Sequence, residues 1–141
     1  MPTRTADAEW RGNLREGDGT MSFGSGAFSG AFSFASRFEE GTGTNPEELI
    51  AAAHAGCFSM AFANTLSESG HPPESVRTTA RVRLEVTDDG PAITRSALET
   101  EGSVPGIDDS EFQSLAEQAK AGCPVSKALG AIEIELEARL V

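Results

Sequence analysis

Residues 45–69 constrain this chain more than any other segment. Asn45-Pro46-Glu47-Glu48 reads as a helix start. Proline is tolerated at the first helical position, where its missing N–H goes unused, and the two glutamates suit the positive end of the helix dipole. Ile50, Ala53, Cys57, Met60 and Ala61 then recur at helical spacing, while Leu49, Ala52 and Gly56 fill a neighbouring stripe. The predicted helix is thus apolar or small over most of its circumference. Such a helix must be covered on several sides, so it is central, and its small residues let another backbone approach closely. It is expected to stop at Gly70-His71-Pro72-Pro73.

The flanks read as sheet. Short β-prone runs separated by Gly17-Asp18-Gly19 and Gly24-Ser25-Gly26 predict a small antiparallel sheet over residues 5–35. In residues 76–86, Val76, Thr78, Ala80, Val82, Leu84 and Val86 alternate with Arg77, Thr79, Arg81, Arg83 and Glu85, the period of a half-buried strand. Asp88-Asp89-Gly90 marks a turn, and residues 92–104 complete a hairpin. Asp108-Asp109-Ser110-Glu111 offers a capping box for a helix carrying Phe112, Leu115, Ala116 and Ala119. A last strand buries Ile132, Ile134, Leu136, Ala138 and Leu140 and exposes Glu133, Glu135, Glu137 and Arg139. The arginine row of the first long strand and the glutamate row of the last read as solvated faces, since exposed ion pairs contribute only about 0–1 kcal/mol. The expectation is an α+β fold forming one domain over residues 1–141, with the sheet at 5–35, the central helix at 46–69 and the remaining elements at 76–141.

Eleven Lys+Arg against 22 Asp+Glu leave a net charge of −11, which repels phosphate backbones and anionic bilayers. Nucleic acid and membranes are therefore not expected partners. The N-terminal residues lack the apolar core of a secretory signal, and the longest apolar run, residues 49–63, is broken by His54 and Ser59 and is too short to span a bilayer. The expected location is the cytoplasm. In that reducing compartment two cysteines point to redox work or metal binding rather than to a permanent staple, which 141 residues do not require.

The two cysteines, Cys57 and Cys123, differ in setting. A thiol in the middle of an apolar helix has its pKa raised by desolvation, so Cys57 needs a nearby cation to become reactive. In Ala121-Gly122-Cys123-Pro124-Val125-Ser126, the glycine ends one helix and the proline opens another, which makes Cys123 an N-cap facing unpaired N–H groups. That position favours thiolate and makes the sulfur a good leaving group in disulfide exchange. The cation is sought in Arg37, between apolar neighbours just before the helix loop, with Glu47 to hold its guanidinium. Glu47 and Cys57 are ten residues apart on one helix, about 15 Å along its axis and roughly 80° apart in azimuth. Within one chain they cannot meet. Two copies with antiparallel central helices would bring Arg37 and Glu47 of one to Cys57 of the other.

His54 and Cys57, three residues apart, could join Cys123 and His71 as zinc ligands, but zinc sites are built on close ligand pairs and only one exists here. His54 is expected to be a packed residue, His71 a loop residue, and no metal is expected. No phosphate loop, Ser-His-Asp order or flavin fingerprint is present.

Arg37-Phe38-Glu39, Gly43-Thr44-Asn45-Pro46-Glu47-Glu48-Leu49, residues 52–61 around His54-Ala55-Gly56-Cys57, Val104-Pro105-Gly106-Ile107 and Lys120-Ala121-Gly122-Cys123-Pro124-Val125-Ser126 together resemble the osmotically inducible protein C (OsmC) family, across nearly the whole chain. The resemblance implies an intertwined α+β homodimer with antiparallel sheets around two long central helices, and a thiol peroxidase that reduces organic hydroperoxides. It makes Cys57 the peroxidatic cysteine, Cys123 the resolving cysteine, Arg37 the activating arginine and Glu47 its positioning carboxylate. In the sister organic hydroperoxide resistance branch the arginine comes from an earlier loop, where this chain has Arg11 and Arg15. The Arg37 placement is similar to the OsmC branch. No cofactor is implied beyond an external thiol or dithiol, small or of lipoyl type. Phe34, Phe38, Phe58 and Met60 are candidates for an apolar substrate mouth, though core burial would account for them equally. The rival expectation is a non-catalytic stress-protective dimer that holds a hydrophobic ligand.

Overall fold

Glycine turns and a serine cap shape the first part of the chain. In the computed structural model, which describes residues 1–141, the chain resolves into two units, residues 1–49 and 50–141. The first holds an antiparallel meander of β1 (Ala6–Arg11), β2 (Asp18–Phe23) and β3 (Ser29–Phe32). Gly12, at φ +92°, takes the left-handed step out of β1 that a side chain would disfavour. The Trp10 indole N–H donates to the Gly12 and Asn13 carbonyls at 3.1 and 3.3 Å and fixes that turn.

Phe34, expected at the end of the third strand, instead opens α1 (Phe34–Phe38). The cause is a capping box. The Ser33 hydroxyl accepts from the Ser36 N–H at 3.1 Å, and the Ser36 hydroxyl oxygen accepts from the Ser33 N–H at 2.8 Å. The buried Ser36 hydroxyl also donates to the Thr44 carbonyl at 2.7 Å, tying this turn to the loop that leads into α2 (Pro46–Glu68). Asn45 caps α2 by accepting from the Glu48 N–H at 2.7 Å.

The α2 helix begins in the first unit and continues through the second. It ends as its sequence suggests. Gly70 at φ +84° is followed by an N–H bond from His71 back to the Leu66 carbonyl, and Gly70 itself donates to the Ser67 carbonyl, which is a Schellman closure. Its 23 residues are long and apolar enough to cross a bilayer by length and composition alone, so the shorter apolar run read from sequence understated it. The deeply buried stripe is His54, Phe58, Phe62 and Leu66, each with no exposed surface and each four residues from the next. Large side chains take the core, and small ones are left outside it. Ala52, Ala53 and Gly56 stay exposed, as does Met60 at 77 %.

The second sheet has the order β4 (Ser75–Thr87), β5 (Gly90–Ser103), β6 (Glu133–Leu140). The β4–β5 hairpin turns at Gly90, as the sequence signals. The sheet is not wholly antiparallel, however: β6 pairs parallel to β5. Two helices, α3 (Asp109–Gly122) and α4 (Pro124–Ala128), lie between those strands, and such a crossover returns the chain to the same end of the sheet. A second departure is Val86, expected inward but 82 % exposed. The register shift opposite Arg83 and Leu84 places its extra residue, Thr94, on β5, whereas Val86 stands one residue before the hairpin end of β4, beyond Val76 and Ala80, the β4 residues packed on the core.

Because β5 lies between β4 and β6, the expected charge rows do not face each other. Arg81 pairs with Glu99, Arg95 with Glu135 and Arg139 with Glu101, all at substantially exposed positions. The core of this unit is aromatic: Phe58, Phe62 and Phe112 stack in sequence with ring centres 5.6 and 5.1 Å apart. Leu98, Val104, Ile107, Leu115, Ala116 and Ala119 surround them. Phe112 lies so close over Gly102 that a Cβ there would fall 2.6 Å from its ring, so that strand position requires glycine.

Candidate active site

Cys57 is placed by the middle of one helix and Cys123 by the junction of two others. Cys57 is carried on α2 one residue before the buried Phe58, which leaves it at the edge of the core and partly exposed. Cys123 closes α3 by donating its N–H to the Ala119 carbonyl at 2.9 Å. It then opens α4 by accepting from the Lys127 N–H at 3.0 Å, with Pro124 at the first helical position. Its side chain has no exposed surface. The two sulfurs are 3.0 Å apart and share a hydrogen bond. A disulfide needs them at about 2.0 Å, so bond formation asks for a movement of only about 1 Å.

The two thiols are not equivalent. Burial pushes the Cys57 thiol up, and the hydrogen bond with Cys123 pushes it further, against a smaller opposing contribution from the Val125 N–H. Burial acts on Cys123 in the same sense but is outweighed, so its pKa is lowered. The hydrogen bond with Cys57, the Ser126 N–H and hydroxyl, and the Val125 N–H all favour its thiolate. No side-chain cap closes from the Cys123 sulfur onto α4. With one proton shared between two sulfurs, the charge prefers Cys123.

The hydroxyl of Ser126 also sits 2.8 Å from His54 Nε2, and the opposite ring nitrogen, Nδ1, is 2.7 Å from the Ser96 hydroxyl. His54, Ser96 and Ser126 are all buried, and burial lowers the His54 pKa, so the ring is neutral. Neither serine was singled out in the sequence. Ser126 stands in the same short turn as Cys123, which was a signal for it; Ser96 is one polar residue among many on β5 and gave none. His71 lies elsewhere in this unit, 3.5 Å from Glu111. No three His, Cys, Asp or Glu residues gather as metal ligands.

The remaining site candidates lie in the first unit. Arg37 projects from α1 and Glu47 from the first turn of α2. The guanidinium donates through Nη2 at 2.8 Å and Nε at 3.1 Å to the same carboxylate oxygen, with a longer Nε contact of 3.4 Å to the other. Glu47 is 9 % exposed and Arg37 36 %, so the carboxylate is anchored and part of the guanidinium stays accessible. Beside Arg37 opens an apolar pocket of about 460 Å³ lined by Trp10, Leu14, Phe32, Phe34 and Phe38. Arg15 lies over the Phe34 ring at 4.7 Å, at the edge of the same aromatic group, and Arg11 pairs with Glu9 in the open. Of the four residues expected at an apolar mouth, Phe34 and Phe38 line this pocket. Phe58 does not belong to a mouth, being wholly inside the core of the second unit, and Met60 stands exposed on α2.

Residues 39–137 match the family described as OsmC-like protein. The chain is 50% identical over 138 residues to "Peroxiredoxin OsmC" of Escherichia coli (strain K12), covering 97% of this chain and 96% of that protein. It is 36% identical over 98 residues to the "Organic hydroperoxide resistance protein" of Xanthomonas axonopodis pv. citri, covering 68% and 67%. Among solved structures, the fold is similar to an organic hydroperoxide resistance protein OsmC from Legionella pneumophila, with a TM-score of 0.78, 26% identity and 99% of each chain covered. It is also similar to OhrB of Bacillus subtilis, with a TM-score of 0.75, 27% identity, and 96% of this chain and 98% of that one covered. The match over most of its length, joined to a relative half identical along almost all of it, makes this chain a member of the OsmC-like protein family.

Proposed function

We propose that this protein is a thiol-dependent peroxidase that reduces organic hydroperoxides to alcohols, with Cys57 as the peroxide-reacting sulfur and Cys123 as the sulfur that resolves it. The observation that carries the reading is the pair itself: two sulfurs 3.0 Å apart, one partly exposed and one fully buried. A hydroperoxide entering from solvent meets Cys57. Its thiolate attacks the distal peroxide oxygen, the O–O bond breaks, and the alkoxide leaves as alcohol after taking a proton. Cys57 becomes a sulfenic acid. The Cys123 thiolate then attacks the Cys57 sulfur and hydroxide leaves as water, which closes the disulfide. An external dithiol, small or of lipoyl type, reduces it, attacking at Cys57 because Cys123 is out of reach.

Cys57 has the higher thiol pKa in the chain taken alone, so the reading requires a cation beside it during the first step. Arg37, oriented by Glu47, supplies it from a second copy. In the homodimer we propose, the α2 helices pack antiparallel about a twofold axis, so that Arg37 of one copy approaches Cys57 of the other. The exposed Ala52, Ala53, Gly56 and Met60 on α2 support that arrangement, since they form an apolar face that a single chain leaves uncovered. Phe34 and Phe38, lining the apolar pocket beside Arg37, favour bulky organic hydroperoxides over hydrogen peroxide. The chemistry needs no resident cofactor or metal, and a cytoplasmic location fits thiols that must be recycled. The test is hydroperoxide consumption with a dithiol by the unaltered protein and by Cys57→Ser. Consumption abolished by the substitution is expected; equal rates, or none in either, would favour a non-catalytic dimer that binds a hydrophobic ligand.

A further inference from the structure

The thiol cycle needs the Cys57 sulfenic acid to meet Cys123 before a second hydroperoxide reaches it, yet the helix that follows Cys123 is slight. It spans only Pro124–Ala128, and so short a helix has little stability of its own. Val125 packs on the core, while Pro124, Lys127 and Ala128 are exposed. The one side-chain hydrogen bond from these five residues to another element joins Ser126 to His54 Nε2, at 2.8 Å. We propose that this bond is a brace: it holds the Cys123 turn against α2 whatever the oxidation state of the sulfurs, so that Cys57 sulfenic acid closes onto Cys123 rather than being oxidised further. His54 and Ser126 are then positioning residues, whose purpose rests on the peroxidase reading although their geometry does not.

Cys57 lies three residues after His54 on α2, and Ser126 lies three after Cys123. Two links therefore join the same pair of segments, sulfur to sulfur at 3.0 Å and histidine to serine at 2.8 Å, offset by about 4.5 Å along α2. The sulfur contact is disturbed as soon as Cys57 takes up oxygen. The histidine contact is not. Its ring is held from the opposite edge as well, by the Ser96 hydroxyl 2.7 Å from Nδ1 on β5, the middle strand of its sheet. A serine hydroxyl donates or accepts, so both bonds form whichever ring nitrogen carries the hydrogen. His54 and Ser96 have no exposed surface and Ser126 has 6 %, so a departing α4 would leave a buried ring nitrogen without a partner. Two reactions compete for the sulfenic acid. In one, the Cys123 sulfur bonds to the Cys57 sulfur and hydroxide leaves, taking up the thiol proton to become water. In the other, a second hydroperoxide gives its distal oxygen to Cys57, which becomes a sulfinic acid, and departs as alcohol. Keeping Cys123 in reach favours the first and does nothing for the initial attack on peroxide.

Reduced protein is treated with graded organic hydroperoxide without thiol, and intact masses count disulfide, a loss of two hydrogens, against sulfinic acid, a gain of two oxygens. Ser126→Ala is expected to raise the ratio of sulfinic acid to disulfide about five- to tenfold, the worth of one buried hydrogen bond, with the rate of Cys57 thiol loss unchanged. His54→Gln, which loses the ring that spans both serines, should do the same, and Ser126→Thr, which keeps the hydroxyl, should restore the ratio. Ser59→Ala is the control: it removes the 2.8 Å bond from the Ser59 hydroxyl to Thr78 on β4, two residues from Cys57 but with no tie to α4. An unchanged ratio in Ser126→Ala, or an equal rise in Ser59→Ala, would overturn the brace. A second readout needs no peroxide. In equilibrium with dithiothreitol the disulfide of Ser126→Ala should be about five- to tenfold easier to reduce, and an unaltered equilibrium constant would likewise overturn the proposal. A shifted constant beside a Cys57 that hydroperoxide leaves untouched in the unaltered protein would count against the peroxidase reading and leave the brace standing.

Discussion

Gly56→Ala separates a single chain from a dimer by the sign of its effect. Gly56 lies in the interior of α2 with an exposed backbone, and a Cβ added there meets no atom within 4 Å. For the chain alone, replacing a mid-helix glycine by alanine stabilises by about 0.8–1.0 kcal/mol, which for a domain of this size raises the melting midpoint by about 3 °C. If a second α2 packs on Ala52, Ala53 and Gly56, the same methyl group is inserted into a closed contact. Overpacking costs about 1–3 kcal/mol per site, and a twofold axis imposes it twice. The dimer account therefore predicts a lower midpoint and a dimer dissociation constant raised about tenfold or more, read by thermal melts and sedimentation over a range of concentrations. Gly122→Ala, at the end of α3 and likewise without neighbours, is the control and should raise the midpoint slightly. A rise of about 3 °C in Gly56→Ala, with association unchanged, would refute the placement of the interface on this face.

Glu47→Gln should slow the peroxide step about tenfold or more by releasing Arg37 from its orientation. Its stability cost should be only about 1–2 kcal/mol, since breaking a buried pair costs more but Arg37 is one-third exposed. Phe58→Ala should cost about 3–5 kcal/mol by emptying the core. Phe34→Ala should cost only about 1 kcal/mol and instead raise KM for bulky hydroperoxides, with chemical denaturation and steady-state kinetics as the checks. The lowered Cys123 pKa contributes stability that is fully present above the ordinary thiol pKa and lost as pH falls through the folded value. The raised Cys57 pKa contributes stability present below the ordinary value and lost as pH rises through the folded one. Urea unfolding of the reduced protein should therefore show stability rising toward about pH 8.5 and falling above it, with the rising limb missing in Cys123→Ser.

Features that depend on local chemistry were legible in the sequence. Pro46 with its glutamates, Gly70 before two prolines, and Gly122-Cys123-Pro124 each announce a helix end because caps use the residues beside them. The inward rows of β4 and β6 were legible because a half-buried strand must alternate. What escaped depended on contacts distant in sequence. A parallel and an antiparallel edge strand carry the same alternation, so the direction of β6 was hidden. How far along β4 the core extends leaves no mark on composition, so Val86, near the hairpin end, was assigned inward. Phe34 read as the end of a strand because aromatic residues favour sheet, and the reciprocal bonds between Ser33 and Ser36 override that preference. In the site, the two cysteines, Arg37 and Glu47 stood out by motif. The serines on His54 did not, because a hydroxyl gains meaning only from the partner that folding brings to it.

Mass spectrometry of the intact reduced protein, before and after one equivalent of an organic hydroperoxide and without added thiol, tests the central claim most directly. A loss of two hydrogens, with both cysteines closed to alkylation, is the predicted result. A gain of one oxygen that persists while Cys123 remains free to alkylate, or no change in mass at all, would contradict a cycle that passes from one sulfur to the other.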